Sequence, residues 1–102
     1  MATPFKPFRG QNKKLTATTT SQSVTVGLGS KSLRVCNQGT VAIYFVAFNS
    51  TDEAGKTCTN TETPVNPGAS VVVEKRLTDN TVAYLADSTT AVIHIQPGEG
   101  GI

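Results

Sequence analysis

Apolar and polar residues alternate along most of this chain, in short runs separated by turn residues. Val24 and Val26 share one side of a run that begins at Ser23, and Leu33 and Val35 share one side of the next run. A period of two residues is typical of a half-buried β-strand. No run repeats its apolar residues at helical spacing over about eleven positions. The pattern therefore predicts an all-β protein.

Seven runs have the composition and length of strands. We expect these strands at residues 15–19, 23–28, 32–36, 41–48, 69–77, 81–86 and 91–96. Turn residues recur about every ten positions between the runs, as they do in sandwiches and barrels. The spacing predicts a single antiparallel β-sandwich or barrel, jelly-roll or immunoglobulin-like, with about six to eight strands.

The run from Val41 to Phe48 is apolar on both of its sides. Ile43 and Phe45 share one side with Val41, whereas Tyr44 and Phe48 lie on the other. A short run so rich in β-branched and aromatic side chains favours a strand over a helix. We expect a central strand whose two faces are both covered, either within the domain or with one face against a partner.

Glycine and proline mark the turns between these runs. Pro67 and Gly68 predict a turn that precedes the strand at 69–77, because proline does not continue into a central strand. Gly39 closes another turn and is able to take the positive φ that many turns use. Pro97 and Gly98 are predicted to end the last strand. The polar connection between residues 49 and 67 has a length that usually indicates a functional or disordered loop.

The first 14 residues contain four basic residues and no acidic one. Pro4 and Pro7 favour extended backbone there. Two phenylalanines on a segment too short for its own core need a surface to dock on, in the same domain or in a neighbouring subunit. We therefore expect an extended arm (1–14), a β-sandwich (15–97) and a flexible tail (98–102). The predicted partner-binding residues are Phe5, Lys6, Phe8, Arg9, Lys13 and Lys14.

The composition narrows the classes of partner. Charged residues make up 16% of the chain, against an average of about 25%, and the formal net charge is +2. Four basic residues provide little affinity for phosphates, so a nucleic-acid partner is not expected. No apolar run approaches the roughly 18 residues that span a bilayer, and the first ten residues lack the apolar core of a secretory signal. We therefore expect no membrane association, and a protein that stays in the cytosol or leaves it as part of a particle.

Few residues of this chain could support catalysis or bind a metal. His94 is the only histidine, and we expect it to be a hydrogen-bonded residue within a strand, because no nucleophile and carboxylate are spaced around it. Cys36 and Cys58 match no zinc-binding spacing. Free thiols are expected in a reducing cytosol, with a disulfide as the alternative. The sequence predicts neither an enzyme nor a bound cofactor or metal.

A set of turn and strand motifs extends over roughly residues 32–100. The motifs are residues 33–42 (LRVCNQGTVA), 44–48 (YFVAF), 65–68 (VNPG), 82–86 (VAYLA) and 95–100 (IQPGEG). In these motifs the chain resembles small β-sandwich structural proteins of tailed bacteriophage particles, including capsid cement or decoration proteins. The resemblance carries no catalytic residue and implies a protein that binds and stabilises the head shell.

The same resemblance implies the partners and the location. The partners would be the major capsid protein or other virion proteins, the chain would form a homo-oligomer, and the virion would be assembled in the host cytoplasm. Two other functions remain open from the sequence. One is a neck, tail or fibre-base component of the virion, and the other is a carbohydrate-binding β-sandwich module. The absence of tryptophan disfavours the carbohydrate-binding module.

Overall fold

The computed structural model describes residues 4–26, 29–53 and 55–101. The described residues form nine β-strands and no helix, and so none of them forms a helix that could cross a membrane. The strands are β1 (Lys6–Pro7), β2 (Lys13–Ala17), β3 (Gln22–Thr25), β4 (Ser32–Asn37), β5 (Ile43–Phe48), β6 (Thr63–Val65), β7 (Ser70–Glu74), β8 (Thr81–Ala86) and β9 (Ala91–Glu99).

The strand pairs are antiparallel and build two sheets. In sheet A, β4 lies between β7 and β9, and both β1 and β2 pair with the other side of β9. Sheet B has the order β3-β8-β5-β6. Strands β2, β3, β4 and β5 thus pair in turn with β9, β8, β7 and β6, as if one long hairpin were rolled up. This is the arrangement of a double-sheet jelly roll, so the predicted antiparallel sandwich is confirmed.

The main hydrophobic core lies between the two sheets. Sheet A contributes Leu33 and Val35 from β4 and Ile93 and Ile95 from β9, and none of these side chains has exposed surface. Sheet B contributes the facing residues of β5 and β8, which are Ile43, Phe45, Val82, Tyr84 and Ala86. The predicted alternation is therefore confirmed in these four strands. Complete burial of one such aliphatic side chain stabilises the fold by about 1.5–3 kcal/mol.

A second, smaller cluster covers the outer face of sheet B. Phe48 and Ala83 are buried there beside Cys58, with half-buried Tyr44 and Leu85 packed around them. Cys58 belongs to the long connection after β5, and its backbone N–H donates to the Ser21 hydroxyl at 2.8 Å. The connection thus folds across the sheet towards β3. Both faces of β5 are covered, as predicted, and its outer face is covered by the chain's own loop.

The turn at Pro67 and Gly68 follows its prediction. The N–H of Ala69 donates to the carbonyl of Asn66 at 3.0 Å, and Gly68 has a φ of 75°. Proline at the second position and a positive φ at the third define a type II turn. The turn leads directly into β7.

Gly39 lies in the predicted turn, but the turn does not use the positive φ that glycine is able to take. A Cβ atom at this position would collide with the Cβ of Ala91 and lie 2.9 Å from its Cα. Glycine is therefore needed here because the turn after β4 approaches the start of β9 too closely for any side chain.

The predicted end of the last strand at Pro97 and Gly98 is wrong. Strand β9 continues through both residues to Glu99, and Pro97 lies opposite Leu33 of β4. Proline is tolerated at this position because its missing N–H points away from β4, towards the edge strand. The flexible tail expected at residues 98–102 therefore begins inside a strand.

Strand β6 lies within the connection that was expected to be wholly polar and irregular. It is three residues long, contains Pro64 and pairs only with β5, as suits an edge strand. Strand β2 begins at Lys13 and so crosses the predicted boundary between arm and sandwich. Leu28, expected in the strand at 23–28, lies outside the described residues, as do residues 1–3 of the arm.

Asn37, at the end of β4, connects three parts of the fold through its buried side chain. Its amide nitrogen donates to the carbonyls of Val41 and Val65, at 2.8 and 3.0 Å. Its amide oxygen accepts the N–H of Gly39 at 2.9 Å. The main chain of Asn37 also accepts from Gly68. One side chain therefore holds the turn after β4 and links it to β6.

Candidate functional site

The six predicted partner-binding residues lie together along one edge of sheet A. Strands β1 and β2, with residues 8–12 between them, form a single interrupted edge strand against β9. The four cationic side chains along it are exposed, and we call this surface the basic edge: Lys6, Arg9, Lys13 and Lys14. The segment expected to be an extended arm is therefore paired with the sandwich of the same chain from Lys6 onwards.

Pro97 explains why the edge strand is interrupted. The N–H of Phe8 donates to the Pro97 carbonyl at 2.9 Å, but Pro97 has no N–H with which to return the bond. The Phe8 carbonyl instead accepts a hydrogen bond from the N–H of Gln11 at 3.3 Å, and Gly10, between them, has a positive φ of 73°. The chain bulges outwards between β1 and β2 as a result. This bulge carries Arg9 away from the sheet.

Phe5 docks on its own domain. It is half-buried, and a Cβ atom added at Gly98 would lie 2.8 Å from the tip of its ring. A Cβ atom at Gly101 would meet the Phe5 Cβ at 2.7 Å and a methyl group of Val72 at 3.1 Å. The two glycines thus form a flat surface beneath the aromatic side chain. Of the two alternatives left by the sequence, the structure places Phe5 against the same chain.

Lys13 and Lys14 point to opposite sides of the basic edge, because successive residues of a strand alternate. Lys14 lies opposite His94, on the outer face of sheet A. Lys13 borders a cavity of about 280 Å³ between the edges of the two sheets, together with Gly10, Gln11, Thr25 and Val26. The Oε1 atom of Gln11 is buried without a hydrogen-bond partner.

His94 is held by hydrogen bonds on both sides of its ring. Its Nδ1 atom lies 3.0 Å from the amide nitrogen of Asn12, and its Nε2 atom lies 3.2 Å from the amide oxygen of Gln38. A neutral imidazole that donates from Nε2 and accepts at Nδ1 satisfies both bonds. The prediction of a hydrogen-bonded strand histidine is confirmed. The Asn12 contact was missed because that residue is 82 positions away along the chain.

The two cysteines are free thiols, as expected, because they lie on the outer faces of different sheets. Cys36 is half-buried on sheet A, and its Sγ atom accepts from the Nε of Arg34 at 3.3 Å. Cys58, which belongs to the long connection, is buried against the outer face of sheet B. Burial and the nearby Glu62 carboxylate raise the pKa of Cys58 to about 11, because both disfavour the thiolate.

A separate charged cluster closes the turn after β7. The Arg76 guanidinium pairs with the Asp79 carboxylate at 3.0 Å. Lys75 is buried, and its Nζ atom donates to the carbonyls of Arg76 and Asp79 at 3.0 and 2.8 Å. Burial lowers the pKa of Lys75, and the Asp79 charge partly opposes that effect. These bonds satisfy backbone carbonyls of the turn, so the cluster has a structural role.

Tyr44 lies half-buried on the outer face of sheet B. Its hydroxyl donates to the Asp87 carboxylate at 3.3 Å. Loss of hydration and the Asp87 charge raise the pKa of Tyr44. No group of three or more histidine, cysteine or acidic side chains that could hold a metal ion occurs among residues 4–26, 29–53 and 55–101.

No known protein family matches the sequence, and no curated protein matches it significantly. The fold is similar to that of a de novo designed double-stranded β-helix, at 19% identity and a TM-score of 0.52, over 83% of this chain and 95% of that one. It is also similar to a crystal structure of PirA, at 12% identity and a TM-score of 0.55, over 90% and 97% of the two chains. A protein of the disulfide-linked pili formed by Bacillus endospore appendages matches at 19% identity and a TM-score of 0.47, over 86% and 83%. The first two likenesses support the rolled two-sheet fold and say nothing of function.

Proposed function

We propose that this protein is a non-enzymatic virion component, a cement or decoration protein that binds and stabilises the head shell of a tailed bacteriophage. The observation that carries the proposal is the basic edge, on which four exposed cations are ordered along one strand. The jelly roll is a fold used by viral capsid domains, although fold alone does not establish function. The proposed partner is the major capsid protein or another protein of the shell.

Pairing with β9 prepares the basic edge for binding. A free arm would lose backbone freedom on docking, at a cost of about 1–2 kcal/mol for each residue that becomes ordered. Here the backbone around Lys6 and Lys13 is already held in a sheet, so less of the interaction energy is spent on ordering. A preordered row of cations suits a fixed acidic surface of similar length on the shell.

A charge-reversal variant tests this role. Arg9→Glu with Lys14→Glu reverses two charges of the basic edge, and Lys31→Glu with Lys56→Glu changes the net charge equally elsewhere on the surface. The measurement is co-sedimentation with phage heads from which this protein has been removed. We expect at least tenfold weaker binding for the first variant and unchanged binding for the control. Binding that survives the first variant would contradict the proposal.

The position in the particle is tested by copy number. Hundreds of copies in each particle are expected for a cement protein, because repeated weak contacts over the lattice supply the stabilisation. Heads with the protein bound should also release their DNA at a higher temperature than stripped heads. A copy number of six or twelve would instead indicate a neck, tail or fibre-base component.

A carbohydrate-binding module is the second candidate, and the pair formed by Tyr44 and Asp87 favours it. A tyrosine face supplies a stacking surface, and a neighbouring carboxylate accepts hydrogen bonds from sugar hydroxyls. Lectin domains also use the jelly roll. Binding on a glycan array that is lost on Tyr44→Ala would support this candidate over the first.

A further inference from the structure

The two sheets have four outer edges among the described residues, and three of them are protected against pairing with another chain. The edge formed by β1 and β2 is interrupted by a bulge and carries lysines. The β6 edge is three residues long and contains Pro64, and the β3 edge has only four residues. Short strands, prolines, bulges and lysines are the devices that keep sheet edges from associating.

Strand β7 is the exception. It has five residues, with three consecutive valines and neither proline nor lysine between its ends. It pairs with β4 on one side only. An edge of this kind is a template for a further strand.

The hydrogen-bond pattern identifies which backbone groups of β7 are free to pair. The N–H of Lys75 donates to Lys31, and the N–H of Asn37 donates to Ala69. Because bonded pairs alternate along an antiparallel ladder, Val71 and Val73 also direct their backbone groups towards β4. The N–H and C=O groups of Ser70, Val72 and Glu74 therefore point outwards. No described residue supplies a backbone partner to these three.

We propose that β7 pairs with β7 of a second copy of this chain, antiparallel and about a two-fold axis at Val72. The strand reads Ser-Val-Val-Val-Glu, which is nearly the same in both directions. In this register Val72 faces its own copy and Val71 faces Val73. Ser70 faces Glu74, so no two like charges are opposed. The three outward residues of each chain then exchange six backbone hydrogen bonds, in an isologous interface.

The dimer would be a continuous sheet of eight strands from β2 of one copy to β2 of the other. Adjacent strands lie about 4.8 Å apart, so the two basic edges would be about 34 Å apart at opposite ends. Such a dimer presents two equivalent binding surfaces. If the proposed function is correct, each dimer can bridge two subunits of the shell; the pairing itself does not depend on that function.

Amide hydrogen exchange of the wild-type protein tests the pairing without any substitution. Val71 and Val73 amides are bonded to β4 and should exchange slowly at every concentration. Ser70, Val72 and Glu74 amides should exchange fast in dilute protein and at least tenfold more slowly at a concentration at which sedimentation shows a dimer. A protein that stays monomeric at about 1 mM overturns the proposal. The proposal is also overturned if the protein dimerises while these three amides still exchange fast, or if the amides that become protected on dimerisation lie in β3.

Two variants locate the axis. Val72→Pro removes an outward N–H without removing a bond to β4, and Val72→Lys places a charge beside its own copy. Both should sediment as monomers at concentrations at which the wild type is a dimer, with unchanged far-ultraviolet circular dichroism. Ser23→Lys, on the exposed β3 edge, is the matched control and should remain dimeric. If a folded Val72→Lys variant dimerises as strongly as the wild type, the proposal is overturned. Shell binding is measured separately, so failure of either proposal leaves the other assessable.

Discussion

Replacement of Asn37 should destabilise the fold far more than a single polar side chain usually does. Its amide group makes three hydrogen bonds, to Val41, Val65 and Gly39, and the residue is 1% exposed. Each buried polar group left without a partner costs about 1–3 kcal/mol. For Asn37→Ala we therefore expect a loss of about 3–5 kcal/mol in the free energy of unfolding. A domain of this length has about 5–15 kcal/mol in total.

Asn37→Asp separates hydrogen bonding from shape, because the two side chains have nearly the same size. The carboxylate can still accept from Gly39, but it directs a charged oxygen at the carbonyls of Val41 and Val65. At neutral pH this variant should be at least as unstable as Asn37→Ala. Protonation returns one donor, so the folded state raises the pKa of this carboxyl above its ordinary value. Relative to Asn37→Ala, its stability should therefore be greatest at low pH and fall as pH rises through the folded-state pKa.

Urea unfolding, followed by far-ultraviolet circular dichroism and tyrosine fluorescence, measures these differences. The chain has two tyrosines and no tryptophan, and Tyr84 lies in the core. Asn60→Ala is the control, since Asn60 is exposed on a loop, and it should change stability by less than about 0.5 kcal/mol. If Asn37→Asp kept the wild-type stability at neutral pH, the hydrogen-bond argument would be refuted.

Three other changes probe separate parts of the fold. Cys58, whose pKa is raised to about 11, should react with iodoacetamide at neutral pH much more slowly than half-buried Cys36, and mass spectrometry measures the two rates. Equal rates in the folded protein would contradict the burial of Cys58. Gly98→Ala would place a Cβ atom against the Lys6 carbonyl of β1 as well as the Phe5 ring, so it should displace β1 and cost about 1–3 kcal/mol of stability, with faster tryptic cleavage in the basic edge. Unchanged cleavage would mean that β1 is not held against Gly98. Burial lowers the pKa of Lys75 in the folded state, so the unfolded state binds the lysine proton more tightly. The free energy of unfolding of the wild type should therefore increase as pH rises towards the ordinary lysine pKa, whereas that of Lys75→Met should not. Parallel pH profiles of the two proteins in urea unfolding would argue against this.

The strand pattern was predictable wherever one side of a strand faces the core. Leu33 with Val35, and Ile93 with Ile95, alternate because a pleated strand turns every second side chain inwards. The turn at Gly68 was equally readable, since proline followed by glycine meets the backbone requirement of a type II turn. These are local rules, and no distant residue is needed to apply them.

Prediction failed where the deciding group lies far away along the chain. Pro97 resembles a strand terminator, yet its missing N–H faces Phe8 of the edge strand, where the chain bulges instead. Gly39 resembles a turn glycine that needs a positive φ, yet the close approach of Ala91 is what excludes a side chain. Strand β6 was missed because a proline within three residues is acceptable only at an edge, and edges are defined by the whole sheet.

The candidate site divides in the same way. The sequence identified the cations Lys6, Arg9, Lys13 and Lys14 and the aromatic Phe5, because composition and proximity along the chain are local properties. Only the tertiary structure decided that these residues form a paired edge, that Phe5 rests on glycines of the opposite terminus, and that β7 is left open. Strand alternation and turn conformation depend on residues that are adjacent in the sequence. Which strand forms an edge depends instead on which strands remain unpaired on one side once the whole chain has folded.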